Sequence, residues 1–139
     1  MPMSDRADDV WRLMSSVVIT NQDTWKRAVV ERTGLPFSRI RIISRLANRA
    51  LSVKEIADAA TIDAPAATVA VNDLAKRGLV IRETDPDNRR CKKVSLTDAG
   101  RELLAAIDSV DNPAPDLMRS LSDADLSALQ EILHKATRG

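Results

Sequence analysis

The chain has 139 residues, 44% of them apolar and 29% charged, with a net charge of +1, which suits one domain with a core of its own. Its only aromatic residues are Trp11, Trp25 and Phe37, so that core must be aliphatic, and a lone Cys91 excludes an internal disulfide and fits a reducing cytoplasm. No apolar run approaches the ~20 residues of a membrane span, and no signal-peptide segment opens the chain, so neither a membrane partner nor export is expected.

Apolar residues Val10, Leu13, Met14, Val17 and Val18 recur at helical spacing and continue through Trp25 and Val29, which predicts one long helix from roughly Asp5 to Arg32. Gly34 and Pro36 stop it. A second helix is expected from Ser38 as N-cap, with Ile40, Ile43 and Ala47 on one face. Ser52 followed by Glu55 is a capping box for a short third helix with Ile56 and Ala57 inward. After a turn through Ala60–Ile62, Asp63 caps a fourth helix, where Pro65 is tolerated because the first turn needs no N–H from it. That helix buries Ala67, Val71 and Leu74 and ends at Gly78.

Two runs of strand character follow, Leu79 to Thr84 and Lys92 to Leu96, joined by the turn residues Asp85-Pro86-Asp87-Asn88. Thr97 caps a fifth helix carrying Leu103, Leu104 and Ile107, which fades near Asn112-Pro113. Ser122 and Asp125 form a last capping box, leading a helix with Leu126, Leu129, Ile132 and Leu133. The expected fold is mainly α with a small β-hairpin, in the order α-α-α-α-β-β-α-α.

Enzymatic chemistry finds no support. One histidine, His134, and one cysteine leave no metal-ligand cluster, and four glycines form neither a phosphate loop nor a nucleophile elbow, so no catalytic residue, metal or cofactor is expected. The charge distribution points elsewhere. From Lys26 to Lys54 there are eight basic residues against Glu31, and from Lys76 to Lys93 seven against Glu83, Asp85 and Asp87. From Thr97 onward four basic residues meet eight acidic ones. A positive middle suits a face that meets phosphates.

The stretch SVKEIADAATIDAPAATVAVNDLAKRGLV reads as a helix-turn-helix: a short capped helix, a tight turn and a second capped helix ending at glycine. Its second helix would present Ala64, Ala66, Thr68, Val69, Asn72 and Lys76 outward. Thr68 and Asn72, one turn apart, can hydrogen-bond base edges in a major groove, where an Asn amide pairs geometrically with adenine. A β-hairpin directly after such a helix is a wing, able to carry Arg89 and Arg90 into a minor groove. Asp85 and Asp87 would orient those arginines or close the turn. Lys92 and Lys93 point to opposite faces, so only one can meet the duplex.

The segment LAKRGLVIRETDPDNRRCKKVSLTDAGREL resembles the MarR family of bacterial winged-helix transcriptional regulators. The carriers are Leu74, Gly78, Leu79, Val80 and Arg82, then Asp85, Pro86 and Arg90, then Val94, Leu96, Thr97 and Gly100, and the element order is similar over essentially the whole chain. The resemblance implies a single domain, with residues 1–36 and 97–139 as a helical dimerisation region and 37–96 as a winged helix-turn-helix DNA-binding lobe. It also implies that Arg90 is the wing-tip arginine. The family's T-V-T-R-like run is replaced here by Ala66-Ala67-Thr68-Val69, and the wing's usual Asp by Asn88, which leaves fewer polar groups for base readout. Val69 or Ala66 could instead touch a thymine methyl.

The apolar faces of the terminal helices, Val10, Leu13 and Val17 with Leu126, Leu129, Ile132 and Leu133, exceed what a small winged core can cover, which also points to a homodimer. Two-fold symmetry predicts a palindromic operator read about one DNA turn apart, ~34 Å or a multiple. The resemblance further implies release by a small anionic aromatic effector, for which Arg41 and Arg45, stepping by four along the second helix with Arg49 beyond its end, are the candidate ligands, although such a stripe also suits solvent or phosphate. Cys91, beside Arg90 and Lys92, reads as a bland thiol or a redox sensor. A repressor acting by occlusion is expected. The competing reading is a winged-helix module that has ceased to read DNA and binds a protein through its wing and Ala-rich helix.

Overall fold

The apolar periodicity that runs from Val10 to Val29 does not produce one helix. In the computed structural model, which describes residues 5–138, it is divided into α1 (Arg6–Asn21) and α2 (Asp23–Thr33). The break follows Ile19-Thr20-Asn21, β-branched and short polar residues that form helix poorly. Asn21 Nδ2 donates to Val17 O (2.7 Å) at the end of α1, and Asp23 opens α2 with a carboxylate at the positive helix end. Gln22 keeps near-helical dihedrals, and Lys26 N still donates to Gln22 O, so the interruption is local.

Gly34, in the left-handed conformation at φ 71°, ends α2 by donating its N–H to Val30 O. The next helix, α3 (Phe37–Arg45), starts two residues before the expected point. Its N-cap is Pro36, and Ser38 lies inside the first turn rather than capping it. Phe37 is drawn in by Trp25, whose ring meets it edge-on with centroids 5.8 Å apart.

The next two helices obey their local signals. In α4 (Val53–Ala60), Ser52 Oγ accepts from Glu55 N while Glu55 Oε1 accepts from Ser52 N. The turn that follows holds Thr61 at φ 56°, a left-handed position for a β-branched residue. Asp63 Oδ1 then accepts from Ala66 N at 2.7 Å and opens α5 (Ala64–Lys76), with Pro65 in its first turn.

The hairpin is β1 (Val80–Asp85) and β2 (Asn88–Leu96), paired antiparallel from Val80↔Leu96 to Thr84↔Lys92. Beyond that the register slips, and Asp85 pairs with Asn88. The turn is therefore tighter than expected, and the second strand begins earlier. Leu51 adds a single bridge to Val94, with N–H···O bonds in both directions (3.0 and 2.6 Å). Thr97 caps α6 (Asp98–Asp108) by accepting from Gly100 N, and its hydroxyl donates to Gly78 O at 2.6 Å.

By contact the chain divides into two compact units, Gln22–Val110 and Met1–Asn21 with Asp111–Gly139. The first is built on an aliphatic core in which Val29, Ile40, Ile43, Ile56, Val71 and Leu74 are among the fully enclosed side chains. Ile107 brings α6 into that core, and Val80, Val94 and Leu96 anchor the base of the hairpin. Among the described residues no polar or charged side chain is buried.

The second unit holds α1, α7 (Asp116–Arg119) and α8 (Asp123–Arg138). The four-residue α7 was not foreseen after Asn112-Pro113; Pro115, in extended backbone, starts it with Asp116 in its first turn. Ser122 Oγ accepts from Asp125 N (3.1 Å) at the start of α8. Neither α1 nor α8 contains a buried residue, and Trp11 (68%), Leu13, Val18 and Ile132 (62%) stand exposed. No described helix is long and apolar enough to cross a membrane.

Candidate nucleic-acid interface

The two units differ in charge. Residues 22–110 carry sixteen Lys and Arg against twelve Asp and Glu, or +4, whereas the remainder carries five against eight, or −3, the two together giving the net +1. The positive unit holds α5 and the hairpin.

Ala67, Ala70, Val71 and Leu74 turn one face of α5 into the core, which leaves Thr68, Val69, Asn72 and Lys76 on the exposed side. Thr68 Oγ1 donates back to Ala64 O at 3.1 Å, so its hydroxyl can offer an outside group only an acceptor while that bond persists. Val69 is 61% exposed, an apolar surface at the middle of this face. The Asn72 amide is held by the hairpin: Arg82 Nη2 donates to Asn72 Oδ1. Lys76 ends the helix, exposed on the surface.

Asp73, the neighbour of Asn72, performs a structural task. Its carboxylate accepts from Arg39 Nε of α3 (3.0 Å) and from Arg77 Nε (3.2 Å). Those guanidinium groups, Arg39 first, hold its pKa below the ordinary carboxylate value, although partial burial pulls the other way.

At the hairpin tip the slip in register has a direct result. Between the pairs Thr84↔Lys92 and Asp85↔Asn88, β2 has three residues, Arg89, Arg90 and Cys91, and β1 has none to oppose them. All three are exposed, and Cys91 is a free thiol. The tip is organised by its own side chains. Asp85 Oδ1 accepts from Asp87 N (2.9 Å), Asn88 Oδ1 accepts from Arg90 N (3.2 Å), and Asn88 Nδ2 lies 3.6 Å from Cys91 Sγ. Asp85 and Asn88 thus close the turn and set the backbone from which the arginines project.

Lys92 and Lys93 separate as strand alternation requires. Lys92 is exposed, opposite Thr84. Lys93 turns to α4, where its Nζ donates to Glu55 Oε1 at 2.6 Å, and Arg49 Nη2 lies 3.8 Å from Glu55 Oε2. The Lys93 hydrogen bond, then that from Ser52 N, lowers the Glu55 pKa from 4.5 to about 2, and Glu55 in turn raises that of Lys93.

Arg41 and Arg45 are both exposed on α3. The Arg41 guanidinium lies 5.9 Å from the centroid of the Phe37 ring, and a cavity of about 120 Å³ opens beside it, lined by Arg39, Ile42, Ala60 and Ile62 among others. That is below the ~300 Å³ at which small-molecule clefts begin. A larger groove of about 530 Å³ lies between α7 and α8, lined by Met118, Leu126, Leu129, Leu133 and His134 with Asp123, Ser127 and Gln130. No group of three or more potential metal ligands occurs among the described residues.

Arg82 is the residue of this face that sequence reasoning did not select. It stood in a motif, but the partner that gives it a role lies ten residues earlier, beyond any helical or strand period.

Comparison with known proteins bears on the same region. Residues 33–90 match the model of the MarR family. A protein of Thauera aromatica named as a transcriptional regulatory protein for the hcr operon is 33% identical over 92 residues, 66% of this chain and 55% of that one. The chain thus spans about half the length of this curated relative. The apo crystal structure of MarR from E. coli is similar over 97% of this chain and 98% of that chain, with a TM-score of 0.73 at 17% identity, a likeness of fold. A MarR family transcriptional regulator from Streptomyces coelicolor, in complex with DNA, is similar at 25% identity and a TM-score of 0.58, over 100% of this chain and 91% of that one.

Proposed function

This chain carries a MarR-family segment over residues 33–90 on the fold of the MarR winged-helix regulators, and from that premise we propose that it is a sequence-specific DNA-binding transcriptional regulator and not an enzyme. It places α5 in the major groove, with Thr68, Val69, Asn72 and Lys76 toward the bases and phosphates, and carries Arg89, Arg90 and Lys92 on the wing, the arginines entering the minor groove. The observation that supports this best is the register slip at the tip. It leaves two adjacent arginines exposed and unpaired on a positively charged unit, directly after an exposed helix face.

The active form is a homodimer in the cytoplasm, assembled through the helical region of residues 1–36 and 97–139. The exposed apolar residues of α1 and α8 and the groove beside α8 support that assembly, since monomers rarely leave such patches open. A two-fold dimer reads a palindromic operator and represses by occlusion. Release by a small anionic aromatic effector near Arg41 and Arg45 would require the cavity of about 120 Å³ there to widen, and would act by favouring a dimer geometry that DNA cannot accept.

A gel-shift titration on DNA flanking the protein's own gene tests the reading. The wild-type dimer binds, log affinity falls with log salt at a slope of about −0.9 per phosphate neutralised, and Arg90→Ala weakens binding by about ten- to a hundredfold with the dimer intact. Unchanged affinity in Arg90→Ala removes the wing from the interface. Absence of binding, or a flat salt response, favours the second reading, a winged-helix module that binds a protein. That reading draws on the exposed Ala64-Pro65-Ala66 and Val69 surface of α5.

A further inference from the structure

An Asn side chain reads adenine by using both ends of its amide, the oxygen accepting from N6 and the nitrogen donating to N7. In Asn72 the accepting end is already engaged by Arg82. A guanidinium has donors only, so the amide atom facing Arg82 must be Oδ1, and Nδ2 must be the end left over. Both sides of this contact are fixed from beneath. Arg82 sits in β1 opposite Val94, and Asn72 sits two residues before Leu74; Val94 and Leu74 are fully buried. Arg82 and Asn72 themselves are exposed, so the remaining donor is available to a ligand.

We propose that Arg82 determines base preference through Asn72, converting it from an adenine reader into a donor that selects thymine O4 or guanine O6 and N7. Val69, one helical turn earlier on the same face and exposed, supplies methyl groups for a thymine C5-methyl, which places thymine ahead of guanine. Cytosine is disfavoured because it turns only its exocyclic amine, another donor, toward Nδ2, and adenine keeps N7 for Nδ2 but loses the second bond that a free Oδ1 would accept from N6. This inference rests on the DNA-reading function above and names one position of its specificity.

The test is selection from a randomised duplex DNA library by the full-length wild type and by Asn72→Ala, Arg82→Met and Arg82→Ala, with folding checked by circular dichroism. The wild type enriches thymine or guanine at one position of each half-site, and Asn72→Ala erases the preference there alone. Both Arg82 variants free Oδ1 and raise the relative affinity for adenine at that position by about fivefold, the low end of what a base-edge contact supplies. The two differ in size, so a packing effect of either does not imitate the result. A wild type that selects adenine at the position erased by Asn72→Ala overturns the proposal, as do Arg82 variants whose preference there is unchanged. So does a preference indifferent to Asn72→Ala, with DNA reading otherwise intact. A wild type that enriches no sequence sinks the DNA-reading function itself, and this inference with it.

Discussion

Gly100→Ala tests how closely α6 is pressed onto the end of α5 and the start of β1. Gly100 is buried in the first turn of α6, and a Cβ there would stand 3.2 Å from both the Leu79 carbonyl carbon and Leu96 Cδ2, and far inside van der Waals contact of Leu79 O. That oxygen cannot simply retreat, because it accepts the Thr97 N–H at 3.1 Å. Overpacking of this kind costs about 1–3 kcal/mol. Pulling Leu79 O away from Thr97 adds about 1 kcal/mol for the hydrogen bond. Against these, alanine is the better helix former by about 1 kcal/mol. The net loss is about 1–3 kcal/mol, with packing deciding the sign. Urea unfolding at fixed protomer concentration, followed by far-ultraviolet circular dichroism, should show the midpoint lowered by about 1 M. A midpoint that is unchanged or raised would mean that helix propensity wins and that the contact yields, refuting the close-approach argument.

Three other substitutions probe the ion pair at Glu55, the turn at Thr61 and the apolar faces of α1 and α8. Glu55 is held at about 2 instead of 4.5, and a depressed carboxylate stabilises the fold above its unfolded pKa and loses that effect as pH falls through its folded one. Glu55→Gln should therefore lower the urea midpoint at pH 7, and its gap from wild type should close between pH 4.5 and 2. Thr61→Asn should raise stability by about 1 kcal/mol in the same assay, since a β-branched residue at φ 56° gives way to one that tolerates the left-handed region. Ile132→Asp combined with Leu13→Asp, both on exposed apolar faces, should convert the proposed dimer to monomer in sedimentation velocity without loss of helicity; a persistent dimer would place the interface elsewhere.

The elements that sequence reading recovered are those whose cause is local. The Ser52–Glu55 box, the Asp63 cap and the Thr97 cap each act within three residues, so residue type and spacing suffice. The division at Gln22 was hidden because apolar periodicity runs through it, while the weakness lies in Ile19-Thr20-Asn21, a propensity effect that periodicity does not register. The helix α7 was missed because four residues after Pro115 are too few to show a period. Site residues divide in the same way. The exposure of Thr68, Val69, Asn72 and Lys76 follows from which face of α5 is apolar. The partners of Asn72, Asp73 and Lys93 were not legible, because Arg82, Arg39 and Glu55 lie 10, 34 and 38 residues away and meet them only once the chain has folded.

The wing is braced at more than one point. Leu51 bridges Val94 at its base, Lys93 reaches Glu55 on α4, and Arg82 reaches Asn72 on α5. Prong and probe are accordingly set at a fixed opening, like the jaws of a calliper locked at one width. On the proposed DNA-reading function, such a tool does not adjust to the duplex; the duplex must adjust to it. The cost of accommodation then falls on the base-pair steps between the two points of grip, and pliable pyrimidine–purine steps there should bind better than stiff A-tracts, even at positions that no side chain touches.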